Sequence, residues 1–286
     1  MQSSSSRIPY VNLQKQWLDE RDELLPIIDK VFKSAQFVGG DELDKFEENI
    51  AKLCGTKYAC GLNSGTDALM LALMLSGVKK GDEVITPPNS FIASTAAIIH
   101  IGAIPVFVDV LPDQNIDPYK IEASITKKTK AVMPVHLTGR MCDMDPIMDI
   151  ANKHGLVVIE DAAQSVGARY KGKPSGSIGD VGCFSTHPLK NLNACGDGGF
   201  LTTDDEDIYN KSRAYRNHGM VNRNIVDHFG IVTRMDNLQA SILNYRLDKL
   251  EDVTQKRRSN AKSYLNNINN CLLYTSDAAD DLLCVD

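Results

Sequence analysis

The 286-residue sequence predicts an α/β domain with a mainly parallel central sheet flanked by helices. Three observations predict it. Short apolar runs alternate along the chain with stretches of helical period. Glycines stop helical stretches just before the next apolar run, as at Gly55 and Gly155. A composition of 43% hydrophobic and 24% charged residues supplies the core such a domain needs.

The elements follow in order. Leu43, Phe46, Ile50 and Leu53 recur at helical spacing and give one apolar face. Strands are expected at 58–62, 83–86, 105–108, 131–135 and 157–160, with helices between them at 66–75 and 144–154 among others. Between 91 and 108 there is no acidic or basic residue and only His100 can titrate, which raises the question of a membrane span. Gly102 and Pro105 break the run and Ser94 and Thr95 sit in its first half, so it reads as a helix followed by a buried strand. Two more apolar runs follow at 182–185 and 199–202. Thr203-x-x-Glu206 is a capping-box signature for a helix toward Arg216, and Asp236-x-x-Gln239 opens another. The latter carries Ile242, Leu243, Leu247 and Leu250 as its apolar stripe and leads out of the large domain.

The expected organisation is a large domain with an N-terminal arm over 1–240 and the start of a truncated C-terminal small domain over 241–270. From Cys271 the run Cys-Leu-Leu-Tyr-Thr-Ser-Asp-Ala-Ala-Asp resembles the conceptual translation of a transposon-type sequencing adapter. Residues 271–286 are therefore expected to be a non-native tail. Net charge is -6 and the basic clusters at 127–128 and 256–258 are short, which excludes an electrostatic footprint for nucleic acid or anionic membrane. Seven cysteines without a Cys-x-x-Cys pair read as reduced thiols rather than a zinc site. The N-terminus lacks the apolar stretch of a secretory signal, so the expected location is the cytoplasm.

Chemistry is concentrated at strand ends. Asn63-Ser64-Gly65-Thr66-Asp67 is a strand-to-helix turn whose backbone N–H groups and Thr66 hydroxyl can face an anion, although such a turn also occurs as a plain cap. Phe91, just after a strand, can stack on an aromatic ligand or belong to the core. Asp161 ends an apolar strand, with Gln164 three residues on, while Glu160 points to the other face because strand side chains alternate. Lys190 and Ser185 lie in Phe184-Ser-Thr-His-Pro-Leu-Lys190-Asn-Leu192, ahead of the turn Gly196-Asp197-Gly198-Gly199 that permits close backbone approach. Together these read as a pyridoxal phosphate site. A lysine amine holds the cofactor aldehyde as an imine, and a carboxylate keeps the pyridine nitrogen protonated. His136, His187 and His218 read as structural, since no partner is visible for any of them.

These blocks resemble the DegT-type sugar aminotransferases, a family of fold-type-I pyridoxal phosphate enzymes. The similarity runs from about residue 8 to 270. It includes Gly-Thr-Asp-Ala-Leu (65–69), Gly-Asp-Glu-Val-Ile-Thr (81–86), Pro-Val-His-Leu-Thr-Gly (134–139), Glu-Asp-Ala-Ala-Gln (160–164), Lys-Asn-Leu (190–192), Arg-Asn-His-Gly (216–219) and Arg-Met-Asp (234–236). The resemblance implies that Lys190 holds the cofactor, Asp161 pairs with N1, Gln164 contacts O3, Ser185 and Thr66 bind the phosphate beside Gly65, and Phe91 stacks on the ring. It also implies a homodimer, with glutamate or a similar donor and a nucleotide-linked keto sugar as substrates. Val232 stands where the family usually has an asparagine that reaches the phosphate of the neighbouring subunit. A sub-branch with histidine at the lysine position performs dehydration, so Lys190 favours transamination.

Rival readings are a non-catalytic binding or sensory homologue, a cofactor-binding fragment without turnover, and a dinucleotide oxidoreductase. The intact Lys190, Asp161 and Gln164 argue against the first. No Gly-x-Gly-x-x-Gly follows a strand, which removes the last.

Overall fold

The computed structural model describes residue 9 and residues 11–268; the expected non-native tail lies outside the described residues. The chain opens with two helices, α1 (Leu13–Ser34) and α2 (Asp41–Cys54). Asn12 caps α1 by accepting the Lys15 N–H at 2.9 Å. In α2 the stripe Leu43, Phe46, Ile50 is buried, and Gly55 ends the helix at φ 67°, a left-handed conformation that costs glycine little. There follow β1 (Tyr58–Leu62), α3 (Gly65–Leu75), β2 (Glu83–Thr86), α4 (Ile92–His100), β3 (Ile104–Phe107), the short α5 (Pro118–Ile121), β4 (Thr129–Val132), α6 (Met144–His154) and β5 (Val157–Asp161). A small hairpin, β6 (Arg169–Tyr170) and β7 (Lys173–Pro174), precedes β8 (Val181–Ser185) and β9 (Gly199–Thr203). After α7 (Glu206–Tyr215), a ribbon of β10 (Met220–Asn222) and β11 (Ile225–Val226) leads to α8 (Asn237–Leu247) and α9 (Leu250–Asn267).

Seven strands form one sheet in the order β1-β9-β8-β5-β4-β2-β3. Neighbours pair in parallel except at β9, which runs antiparallel to both β1 and β8. Helices cover the sheet on both sides, which is why its inner strands are apolar throughout rather than alternating. On one side α3 contributes Ala68, Leu71 and Leu73 to a cluster with Ile159, Val181 and Leu201. Across the sheet, Phe46 and Ile50 of α2 and Leu243 of α8 pack on Phe184 and Phe200, whose rings stack at 4.5 Å. Farther along, Ile147 and Ala151 of α6 meet Ile85, Val132 and Val158.

Some local expectations need correction. The strand expected to be buried near 105–108 is β3, the outermost strand of the sheet among the described residues, where Ile104 and Phe107 are exposed. The helix after β9 is capped by Asp205, not Thr203: Asp205 Oδ1 accepts the N–H groups of Asp207 and Ile208, while the Thr203 hydroxyl donates to Asp180 O. Asp236 stands at the start of α8 but makes no side-chain cap, and Gln239 instead bridges to the backbone of Cys195. The stripe from Ile242 to Leu250 is divided between α8 and α9. Residue 240 lies within α8, and Ala240 is buried in the same cluster as Phe46.

Candidate active site

The carboxyl ends of the parallel strands carry the candidate residues, at the edge where open α/β sheets bind ligands. Beyond β1, Ser64 caps α3 by accepting the Asp67 N–H at 3.0 Å. Gly65 is the first residue of the helix, and a Cβ there would stand 2.8 Å from Ser185 Cβ and 3.1 Å from Ser185 Cα. Only glycine lets the start of α3 lie against the end of β8. A Cβ at Gly199 would be 2.3 Å from the Ser64 carbonyl carbon, so the start of β9 presses on the same turn. The first turn of α3, with Gly65 and the half-buried Thr66, therefore sits beside the half-buried Ser185. Unpaired helix-start N–H groups and the positive end of the helix dipole make that place suitable for a phosphate.

Asp161 ends β5 and is 4% exposed. Ser94 Oγ donates to its Oδ2 at 2.6 Å and the Ala163 N–H to its Oδ1 at 3.2 Å. Burial raises the Asp161 carboxyl above its ordinary value, and Ser94, the Ala163 N–H and the positive charge of Lys190 offset this only in part.

The loop that carries Lys190 is anchored on both sides. The Lys190 N–H donates to His187 O at 2.8 Å, and Asn193 Nδ2 donates to Pro188 O at 2.9 Å. Asn191 Nδ2 donates to Val166 O at 2.8 Å and Arg246 Nη1 to Asn193 O at 2.7 Å, while Leu192 and Ala194 are buried in the core. A lysine held this way can present its amine without paying to order the loop on binding.

Gln164 is half-buried, and its Oε1 accepts the Thr138 N–H at 2.9 Å. Phe91 is 71% exposed at the start of α4, one helical turn before Ser94. Val232 is exposed and bridges to Asn217. A groove of about 730 Å³ between α7 and residues 38–43 is lined by none of the candidate residues. Among the described residues no group of His, Cys, Asp or Glu could hold a metal ion, and no helix is long and apolar enough to cross a membrane.

Sequence reasoning missed Ser94, although its place one turn after Phe91 on a helix facing β5 was the available signal. It also missed the surroundings of Glu160. That side chain is fully buried and accepts from His136 Nε2, and His136, read as structural, is fully buried as well.

The sequence matches the DegT/DnrJ/EryC1/StrS aminotransferase family over residues 18–281. The chain belongs to this family. A "Pleiotropic regulatory protein" of Geobacillus stearothermophilus is 43% identical over 258 residues, covering 90% of this chain and 69% of that protein. The UDP-N-acetyl-3-dehydro-alpha-D-glucosamine 3-aminotransferase of Acidithiobacillus ferrooxidans is 44% identical over 265 residues, covering 92% of this chain and 71% of the relative. Among solved structures, NtdA from Bacillus subtilis with bound cofactor PMP matches with a TM-score of 0.90 at 34% identity, covering 99% of this chain and 66% of that one.

The cofactor of this aminotransferase family is pyridoxal phosphate, and the residues present fit it. A buried carboxylate whose charge is costly gains from a cationic N–H, a helix start packed against a serine suits a phosphate, and an anchored lysine can take an aldehyde.

Proposed function

We propose that this family member transfers an amino group from glutamate, or a similar donor, to a keto sugar carried on a nucleotide. The observation that carries the reading is the buried Asp161 carboxylate at the sheet edge, which accepts from Ser94 Oγ at 2.6 Å and the Ala163 N–H at 3.2 Å and keeps capacity for a cationic N–H donor, together with Lys190 on an anchored loop. Pyridoxal phosphate, when bound, supplies an aldehyde that takes up amines and a ring that accepts electrons from the substrate carbon.

Lys190 would hold the aldehyde carbon, Asp161 the ring nitrogen, Gln164 the phenolic oxygen, and Gly65, Thr66 and Ser185 the phosphate, with Phe91 against the ring face. Asp161 favours a protonated ring nitrogen, because an N–H donor compensates the charge that burial makes costly. Ser94 keeps the carboxylate turned to that task through its bond to Oδ2. The Lys190 amine would carry a proton from the donor's α-carbon to C4′ of the cofactor, and in the second half-reaction from C4′ to the sugar carbon.

The keto-sugar class draws support from relatives such as the UDP-sugar aminotransferase. The same proposal includes a homodimer, a cytoplasmic location and no nucleic-acid or membrane partner, in keeping with a net charge of -6 and short basic clusters. It also includes a cofactor domain over 1–240 and the beginning of a smaller domain over 241–270, with α8 as the helix shared between them.

An absorbance scan of the purified chain with pyridoxal phosphate, before and after glutamate, tests the reading. A visible band is expected in the parent and absent in Lys190→Ala, and glutamate should bleach it. No band in the parent would overturn the assignment of Lys190, and a band that glutamate leaves unchanged would overturn glutamate as donor.

A further inference from the structure

We propose that the buried Glu160–His136 pair is a positioning device for the cofactor-facing side chains on either side of it, Asp161 and Gln164. The proposal rests on the roles given to those two residues above.

Glu160 is one residue before Asp161 on β5 and points to the opposite face of the sheet. Its Oε1 accepts the N–H groups of Ile178 and Gly179, both at 2.7 Å, and its Oε2 accepts the Gly176 N–H and His136 Nε2, both at 2.9 Å. All four acceptor directions of the carboxylate are filled. The loop over 176–179 is pressed onto the sheet to make these bonds: a Cβ at Gly176 would come within 2.5 Å of the Phe184 ring. Burial works against the Glu160 charge, but His136 and the N–H groups of Gly179 and Gly176 outweigh it and hold the carboxyl below its usual value.

His136 carries this rigidity to the other side of the site. Its backbone N–H donates to Asp161 O at 3.0 Å and the Asp161 N–H donates to Pro134 O at 2.9 Å, so residues 134–136 prolong β4 beside the end of β5. Burial pushes the imidazole toward its neutral form and Glu160 pulls the other way. Cys142 and Glu160 together outweigh burial and raise the imidazole to about 10, and because the Cys142 N–H faces Nδ1 at 3.2 Å, the proton directed at Glu160 is the one on Nε2.

The chain then turns sharply. Asn115 Oδ1 accepts the Leu137 N–H at 3.2 Å and its Nδ2 donates to Arg140 O at 3.2 Å, closing the turn from outside. Within it Thr138 has φ 56°, a left-handed conformation that is a genuine outlier for a β-branched residue and persists only where the surroundings impose it. The strained residue is the one whose N–H reaches Gln164 Oε1. An N–H donor can face only the oxygen of that amide, so the Nε2 group is turned away from the Thr138 N–H, in the polarity a phenolic oxygen acceptor requires. With the amide reversed, two donors would meet at the Thr138 N–H. Glu160 and His136 therefore fix Asp161 through the backbone and fix the polarity of Gln164 through the Thr138 turn, without touching the cofactor themselves.

A double-mutant cycle on the holoenzyme tests this, with two readouts: the dissociation constant of pyridoxal phosphate, and the ratio of visible to near-ultraviolet absorbance of the bound cofactor at fixed pH. Gln164→Ala and His136→Ala should each weaken binding about tenfold, as expected for one lost hydrogen bond to a charged group, and should lower the visible share. The double variant should lose clearly less than the product of the two single effects, and His136→Gln, whose amide can still donate to Glu160, should recover part of the loss. If His136→Ala does not fold, Asn115→Ala loosens the same turn from outside and is read in the same way. A His136→Ala protein that melts earlier but keeps the parent's affinity and band ratio overturns the proposal, as do effects that multiply in the double variant. If Gln164→Ala changes neither readout, the role of Gln164 falls and the positioning device with it, while the Lys190→Ala scan separately decides whether the cofactor lysine stands.

Discussion

Glu160 and Asp161 are neighbours on β5, both buried, and they teach opposite lessons about what a buried carboxylate is for. Glu160, on one face, has every acceptor position occupied by protein donors and lies below its ordinary pKa. Asp161, on the other face, has two protein donors and lies above it. The depth of burial is nearly the same, at 0% and 4% exposure, so depth does not separate them. Donor supply does. A fully supplied carboxylate is locked into the fold, whereas an undersupplied one retains capacity for a cationic ligand.

The largest effect that would sharpen this contrast is expected at Glu160. Glu160→Ala leaves three backbone N–H groups and His136 without their acceptor, and should destabilise the protein by about 3–5 kcal/mol in chemical denaturation. A loss no larger than that of an exposed site would break the comparison. Asp161→Asn should have the opposite sign in the cofactor-free protein. Because the folded pKa of Asp161 is raised, its contribution to stability is fully present below the ordinary carboxylate pKa and is lost as pH rises through the folded value. An amide has no such loss, so the variant should melt a few degrees higher than the parent at neutral pH, with the gain vanishing toward acid pH, while amino transfer is abolished. A parent and variant with parallel melting profiles across that range would refute it. Ser94→Ala should have the smallest effect. It removes one of the two donors of Asp161, costs about 1 kcal/mol, moves the carboxyl further up and slows the glutamate half-reaction about tenfold in single-turnover measurements.

Much of this contrast was legible in the sequence. The alternation of β5 side chains separated Glu160 from Asp161, and apolar period located α2, α3 and α6, with glycine stops at the ends of α2 and α6. Partners distant in sequence were not legible. Three of the donors to Glu160 come from the loop over 176–179, and nothing local to Glu160 announces them. Ser94 meets Asp161 only because α4 packs over the sheet edge. The exposure of β3 depends on its place in the strand order, which spacing does not encode. Capping failed for a subtler reason. Thr203 and Asp205 both offer an oxygen near the helix start, and β9 keeps Thr203 in its ladder opposite Tyr58 and Val181, which leaves Asp205 to cap.

The antiparallel strand β9 also governs the order of assembly. Among the described elements β1 has β9 as its strand partner, with Tyr58 opposite Thr203, so some 145 residues must follow β1 before its edge can be closed. At ordinary rates of synthesis that interval lasts roughly 7 to 30 s. During it the apolar strand and the helix start that suits a phosphate wait with an open ladder, a long-range closure that slows folding and exposes a nascent chain to wrong partners. The strand that presses on the turn before α3 is therefore also among the last of the sheet to arrive, and the candidate binding edge is completed only when the sheet is.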